Sequence, residues 1–362
     1  MNHVTPYVSV DLDKVEKNIT AMVERLSRAG IDHWPHIKTH KCIELAKKQL
    51  AMGAKGITCA KLSEAEVMAE AGIDAILIAF PIVGEENLQR LTRLVQKVNV
   101  LRTTVDSVAV ARGLSAAGQE AGRKLEVLIE IDGGSHRGGV QPGAPVLEFA
   151  RQIAGLPGIE IAGVFTYVGQ IYGKSSPEEL KGETRREAEI LLEAKRLLEG
   201  DGIPVRVMSG GSTPSSYLAE DLTGITEARA GNYIFGDMNA VHLGVYTVQD
   251  CALRVHATVV SVPLPGHATI DAGSKTLTSD LSVAGDTYGY IVGKPDVKIV
   301  KLNEEHGYLQ FDPAKHHFQV GDRIEVIPNH SCVIPNLNDH LYGYRHGQFA
   351  GTLKIDARGK NY

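Results

Sequence analysis

Apolar and polar positions repeat with two different periods along this chain, and the change from one to the other divides it. Short apolar, β-branched runs recur first: HWPHIK (33–38), KGITCA (55–60), AILIAF (75–80), NVLRTTV (99–105), LEVLIEI (125–131), EIAGVFTY (160–167), PVRVMSG (204–210) and ITEARAG (225–231). Between them lie IELAKKQLA, LSEAEVMAEAG, EENLQRLTRLVQKV and PEELKGETRREAEILLEAKRLLEG, whose apolar residues return every three or four positions and whose ends often carry Gly. Strand and helix patterns alternating in this way over about 200 residues predict a (β/α)8 barrel of the TIM type, an α/β fold. A doubly wound sheet is the alternative, but no G-x-G-x-x-G opens a helix after an early strand.

Near residue 240 the period drops to two. LRVHATVVSVPLPGHATIDAG, TYGYIVG, VKIVKLNEEHGYLQF, DRIEVIPNHSC and FAGTLKIDARG are alternating runs cut by Gly, Pro and Asp, and they predict a second, mainly β C-terminal domain. YVSVDL at the start shares that period and is expected to join it, after which Asp13 is placed to cap the first helix. The expected division is 10–238 for the barrel and 239–362, with 1–9, for the β-domain.

Composition narrows the function classes. The chain has 362 residues, 43% hydrophobic and 22% charged, enough for one large barrel or two domains with substantial cores. Its net charge of -5, without a basic block, argues against nucleic-acid binding. The longest apolar run, AILIAF, is far too short to span a bilayer, and MNHVTPYVSVDLDKVEKN does not read as a secretory leader. Cys42, Cys59, Cys251 and Cys332 have no paired spacing, so reduced thiols and a cytoplasmic location are expected, with the first three as buried small hydrophobes.

Barrel enzymes carry their chemistry on the loops after the strands. Here those positions hold Lys38 between His36 and His40, Asp132, His136 and Arg137 in DGGSHRGG, Thr166 and Tyr167, the turn SGGSTP (Ser209 to Pro214), and RAGNY (Arg229 to Tyr233). Ser209, Gly210, Gly211 and Ser212 precede a helix start and can turn backbone N–H groups toward an anion, and Gly231, Asn232 and Tyr233 offer more from the next loop. A lone Gly-Gly marks an ordinary turn; two such loops where barrels commonly bind phosphate point to a phosphate site. A lysine in a barrel mouth loses solvation and titrates lower, as a Schiff-base amine requires, although Lys38 read alone also fits a solvated loop cation beside Lys41. Amine, phosphate cradle, Arg137 and Tyr167 together fit one cofactor, pyridoxal 5'-phosphate.

PNHSC in the β-domain supplies a second cluster. His330 and Cys332 lie at i and i+2, on one face of an extended segment, and imidazole with thiolate is a zinc-type donor pair that leaves open positions. Read alone, the pair also fits a packed cysteine and a hydrogen-bonded histidine.

PHIKTHK, GEENLQRL after AFPIV, SGGSTP, TEARAGNYIF, DAGSK (271–275), NEEHG (303–307) and PNHSC together resemble the D-threonine aldolase and D-serine dehydratase-like group of fold-type III pyridoxal enzymes. The resemblance runs from Thr5-Pro6 to the last strand, and implies an alanine-racemase-type barrel joined to a β-domain. It implies that Lys38 holds the cofactor as a Schiff base, that Ser209, Gly210, Gly211, Ser212, Gly231, Asn232 and Tyr233 hold its phosphate, and that Arg137 and Tyr167 contact its ring region. It implies a divalent metal (zinc or manganese, with magnesium as a further choice) on His330 and Cys332, with His330 also catalytic, and a homodimer. Two departures stand out: several aldolases of the group have Asp where Cys332 stands, and the loop VGQIYGKSSPEE lacks the His that some of them carry.

The activity expected is that of a lyase for small β-hydroxy-D-amino acids, foremost an aldolase cleaving D-threonine-like substrates to glycine and an aldehyde. Dehydration to a 2-oxo acid and ammonia is the alternative that Cys332 favours. Racemisation and a non-catalytic cofactor carrier rank behind.

Overall fold

The computed structural model describes residues 3–283, 285 and 287–362. Met1 and Asn2, at the head of the 1–9 segment assigned above to the β-domain, lie outside the described residues. The chain forms two compact units. One comprises residues up to Thr20, Thr39–Cys42 and Asn232–Arg358; the other comprises Ala21–Lys38, Ile43–Gly231 and Gly359–Tyr362.

Strand β1 (Tyr7–Asp11) opens the chain, and the second unit then holds β2 (Asp32–His33), β3 (Ile57–Cys59), β4 (Ala75–Ile78), β5 (Val100–Val105), β6 (Leu125–Asp132), β7 (Ile159–Tyr167), β8 (Val207–Gly210) and β9 (Glu227–Ala228). Strands β2 to β9 form a parallel eight-stranded sheet in the order β2-β9-β8-β7-β6-β5-β4-β3, and a parallel bridge between His36 and Thr58 joins its two ends. The barrel interior packs Trp34, Leu77, Leu128, Ala162, Phe165 and Val207 together. Trp34 presses against the chain at Gly56, where an added Cβ would lie 2.4 Å from the indole, so only glycine fits. One face of the ring carries Arg102, 4.7 Å above it.

The helices match the three-to-four periodicity closely: α1 (Leu12–Arg28), α2 (Ile43–Ala51), α3 (Leu62–Glu70), α4 (Glu85–Lys97), α5 (Val108–Glu120), α6 (Ala144–Ile153), α7 (Pro177–Gly200) and α8 (Thr213–Tyr217). The longest, α7, starts sharply because Ser176 accepts the Glu179 N–H in a reciprocal capping box and Pro177 takes the first helical position. The cap of α1 differs from the expectation. Asp11, not Asp13, accepts the N–H groups of Asp13 and Lys14, because the helix already begins at Leu12; the Asp13 carboxylate turns instead to Arg345 and the His346 N–H.

The first unit is built on β1 and on β10 (Leu253–Leu264), β11 (His267–Ile270), β12 (Tyr290–Ile291), β13 (Lys298–Leu302), β14 (Gly307–Gln310), β15 (Arg323–Ile327), β16 (His340–Arg345) and β17 (Gln348–Lys354). They form one nine-stranded sheet in the order β11-β14-β13-β12-β15-β10-β1-β16-β17, with a further β10–β11 pairing that closes six of the strands into a ring. Tyr7 to Val10 pair antiparallel with β10, and Ser9 to Asp11 pair parallel with β16. The N-terminal period-two segment therefore belongs to this sheet. No helix among the described residues is long and apolar enough to cross a membrane.

Candidate active site

The stretch from His33 to Lys41 gives each of its ionisable groups a different environment. His33, in β2, is buried and faces the Ala230 carbonyl, and burial lowers its imidazole to about 4. His40 is buried and accepts the Cys42 N–H through Nδ1 at 3.1 Å. Lys41 is buried too; its Nζ donates to Asn336 Oδ1 at 3.0 Å. Lys38 sits in the short 3-10 turn Ile37–Thr39 after β2, and its side chain is exposed. The burial expected of this lysine is therefore not observed.

His36 reports the charge around that turn. Burial, the Lys38 ammonium and the guanidiniums of Arg229 and Arg137 all push its imidazole well below the ordinary value, and its Nδ1 is buried without a hydrogen-bond partner. Three cations from the ends of β2, β6 and β9 therefore converge on one point at the C-terminal mouth of the barrel. Such a place attracts an anion.

Arg137 and Tyr167 are brought together, the guanidinium lying 4.9 Å from the ring centroid. The loop that delivers Arg137 is shaped by Asp132, which accepts the N–H groups of Gly134 and His136, His136 Nδ1 at 2.6 Å and Gln141 Nε2. Burial would raise the Asp132 carboxyl, but these donors outweigh it and hold the group at about 2.

The SGGSTP turn is more occupied than its sequence suggests. The Gly211 N–H donates to Glu187 Oε1 at 2.9 Å and the Ser212 N–H to Ser215 Oγ at 2.9 Å, so these two backbone donors are committed internally. Ser209 Oγ accepts from Arg229 Nη1 at 2.7 Å. What remains beside the turn are hydroxyls: Thr213 Oγ1 and Ser216 Oγ are buried and unpartnered. Two orphaned donors next to a glycine pair, with cations at the same barrel end, fit a phosphate ester.

Arg229 was named in the sequence only as part of RAGNY, and it proves central. It is buried, donates to Ser209 Oγ and to the Thr166 carbonyl, and lies 3.7 Å from the Phe165 ring centroid. Burial pushes it down to about 10, against the carboxylates of Glu187, Glu227 and Glu130. Gly231 follows in the same unit.

Asn232 and Tyr233 open the other unit, where their side chains are already engaged. The Asn232 amide donates to Asp237 Oδ2 at 2.7 Å and accepts from Ser331 Oγ at 2.5 Å, while the Tyr233 ring is fully buried in the core. Asp237, which no motif flagged, is the hub: it caps the helix Met238–His242 and accepts from Asn232, the Ser331 N–H and His330 Nδ1.

That last hydrogen bond leaves Nε2 as the donor atom His330 can offer a metal. Cys332 beside it and Asp237 raise the imidazole well above its ordinary value, in spite of burial. Cys332 Sγ lies 3.1 Å from Thr39 Oγ1, the hydroxyl of the residue that follows Lys38. No group of three or more His, Cys, Asp or Glu able to hold a metal occurs among the described residues. His330 and Cys332 fit a two-ligand site with open positions, its histidine oriented by a carboxylate.

Comparison with known proteins places this geometry. The profile described as "Alanine racemase, N-terminal domain" matches residues 10–239. The chain belongs to the alanine racemase N-terminal domain family. A profile described as "Putative serine dehydratase domain" follows it over residues 252–344. Among relatives with this racemase-type barrel, the D-threo-3-hydroxyaspartate dehydratase of Delftia sp. (strain HT23) is 35% identical over 91% of this chain and 90% of its own. The D-threonine aldolase of Arthrobacter sp is 34% identical over 98% of this chain and 93% of its own. Two variants of a D-threo-3-hydroxyaspartate dehydratase, one with a His and one with a Cys two positions later replaced by Ala, superpose with TM-scores of 0.91 and 0.90. They are 32% and 33% identical, cover 98% of this chain and 95% and 98% of their own, and the Cys variant is in a metal-free form.

Proposed function

We propose that this member of the family is a pyridoxal-phosphate-dependent lyase acting on small β-hydroxy-D-amino acids. The observation that carries the reading is the oriented pair in the β-domain, His330 fixed by Asp237 with Cys332 two residues on. Support comes from relatives of dehydratase and aldolase type matched over nearly whole chains. Residues 10–238 would serve the cofactor, and 239–362 with 1–9 would carry the metal pair.

Bound pyridoxal phosphate supplies an electron sink for charge left at the substrate Cα, and a divalent ion supplies Lewis acidity toward the β-hydroxyl. Lys38 would attach the cofactor through Nζ, and the same amine, once displaced by the substrate, would exchange the proton at Cα. The Thr213 and Ser216 hydroxyls would hold the phosphate beside the turn Ser209 to Ser212, with Gly231, Asn232 and Tyr233 as further candidates. Arg137, stacked on Tyr167, fixes the ring region. His330 and Cys332 hold the ion.

Of the two outcomes, elimination is favoured by Cys332, since a His and a Cys at this spacing are the residues altered in the Delftia-type dehydratase variants. Lys38 would then take the α-proton while the β-hydroxyl departs as hydroxide, and the enamine released would tautomerise to an imine that water hydrolyses to a 2-oxo acid and ammonia. Retro-aldol cleavage is the second reading, favoured by the Arthrobacter aldolase; there the β-hydroxyl would lose its proton, the Cα–Cβ bond would break with release of the aldehyde, and Cα would take up a proton to give glycine. Zinc suits the imidazole–thiolate pair, a reducing cytoplasm suits four cysteines joined by no disulfide, and a two-fold homodimer is the assembly we propose.

Product analysis decides the outcome. D-threonine should give 2-oxobutanoate and ammonia under elimination, or acetaldehyde and glycine under the aldol route, each suppressed by chelator. Production of L-threonine alone, unaffected by chelator, overturns the lyase reading.

A further inference from the structure

Glu187 is a fully buried carboxyl group that nothing above assigns to chemistry. It lies on the inward face of α7, and its Oε1 accepts the Gly211 N–H at 2.9 Å while Oε2 is buried with no hydrogen-bond partner. A Cβ added at Gly210 would stand 3.4 Å from Oε1, so the carboxyl lies directly against the glycine pair. The turn itself has no slack. Gly211 holds φ at +74, and a Cβ there would come within 2.6 Å of Ala228 Cβ. On the far side Ser212 and Ser215 close a capping box, and the unpartnered hydroxyls of Thr213 and Ser216 follow at once. Burial raises the Glu187 carboxyl above its usual range, with Ser215, Arg229 and the Gly211 N–H opposing.

We infer that Glu187 is a positioning residue for phosphate recognition: by drawing the Gly211 N–H into the wall beneath the turn, it sets the geometry in which the Thr213 and Ser216 hydroxyls meet a phosphate ester. The inference rests on the reading of this turn as the cofactor's phosphate cradle. Its chemical basis is an acceptor at one place, not a negative charge, so the amide of glutamine preserves it and alanine does not.

The test compares two aldehydes that differ only in the phosphate. The full-length protein, stripped of cofactor, is titrated with pyridoxal 5'-phosphate and with pyridoxal, following the aldimine absorbance. In Glu187→Ala the affinity for the phosphorylated aldehyde should fall by about ten-fold or more while that for pyridoxal changes little, and Glu187→Gln should restore it to within about three-fold. Glu187→Leu, which fills the volume without an acceptor, should behave as Ala does and replaces it if the alanine variant does not fold. Equal losses for both aldehydes, or no loss for either, overturn the inference. A wild-type protein that binds the two aldehydes equally removes the phosphate cradle itself, and with it the inference.

Discussion

Asp237 Oδ2 and His330 Nδ1 lie 3.0 Å apart, with the carboxylate fully buried and held by the Asn232 amide and the Ser331 N–H as well. This arrangement fixes the imidazole tautomer and aims the remaining ring nitrogen outward. A carboxylate in that role typically strengthens metal binding by about 10–100-fold. Asp237→Ala should therefore weaken zinc affinity by about that factor, measured by competition with a chromogenic chelator. Pyridoxal absorbance should persist. Unchanged zinc affinity would separate Asp237 from the metal pair.

In the proposed metal site Cys332 would supply the second donor, and its sulfur faces the Thr39 hydroxyl at 3.1 Å. Cys332→Ala should keep the cofactor chromophore and lose the chelator-sensitive part of turnover. If EDTA leaves wild-type turnover untouched, the metal role fails. Cys332→Asp tests the aldolase reading, since an oxygen donor replaces sulfur at the same place; the ratio of acetaldehyde to 2-oxobutanoate from D-threonine is the measurement.

The buried Arg229 guanidinium acts through space on the carboxyl groups of Glu187, Glu227 and Glu130, of which Glu227 also pairs with Arg102 at 2.7 Å. Removing one member of a buried ionic set leaves the rest uncompensated and typically costs about 3–5 kcal/mol. Arg229→Met should destabilise the protein on that scale in urea denaturation. A loss near zero would mean that the carboxyl groups are already neutral.

Asp132 couples the Arg137 loop to pH. Its carboxyl, ordinarily near 3.8, is held at about 2 by the Gly134, His136 and Gln141 donors despite the raising effect of burial. The depressed value means that its contribution is complete above about pH 4 and disappears as pH falls toward 2. Asp132→Asn should lose about 1–3 kcal/mol at neutral pH and show a shallower decline between pH 4 and 2 than the wild type. Parallel acid limbs for the two proteins would contradict the assignment.

The sequence pattern was most readable where burial and period act together. Each of the eight apolar runs overlaps a barrel strand, and PEELKGETRREAEILLEAKRLLEG coincides with α7. Two runs shrank to two-residue strands, Asp32–His33 and Glu227–Ala228. In the first, Pro35 lacks an N–H to give the ladder and Ile37–Thr39 turns away. Asp11 and Asp13 are indistinguishable as caps until the first helical residue is known, which is a matter of two positions.

Residue types in the candidate site were legible; their partners were not. A Gly-Gly-Ser turn advertises backbone donors, but Glu187 lies 24 positions away and takes one of them, a contact that only the packing of α7 creates. Asp237 is likewise 93 residues from His330, with an ordinary N-cap sequence around it. The exposure of Lys38 agrees with the solvated loop cation that its sequence read alone also allowed, because a turn beginning at Ile37 follows the strand before the lysine.

The most direct test of the account is borohydride reduction of the protein loaded with pyridoxal phosphate, followed by peptide mass mapping. The predicted result is a single pyridoxyl adduct on Lys38 and none in Lys38→Ala. A stoichiometric adduct on another lysine, or no bleaching of the chromophore at all, would contradict the assignment of this amine.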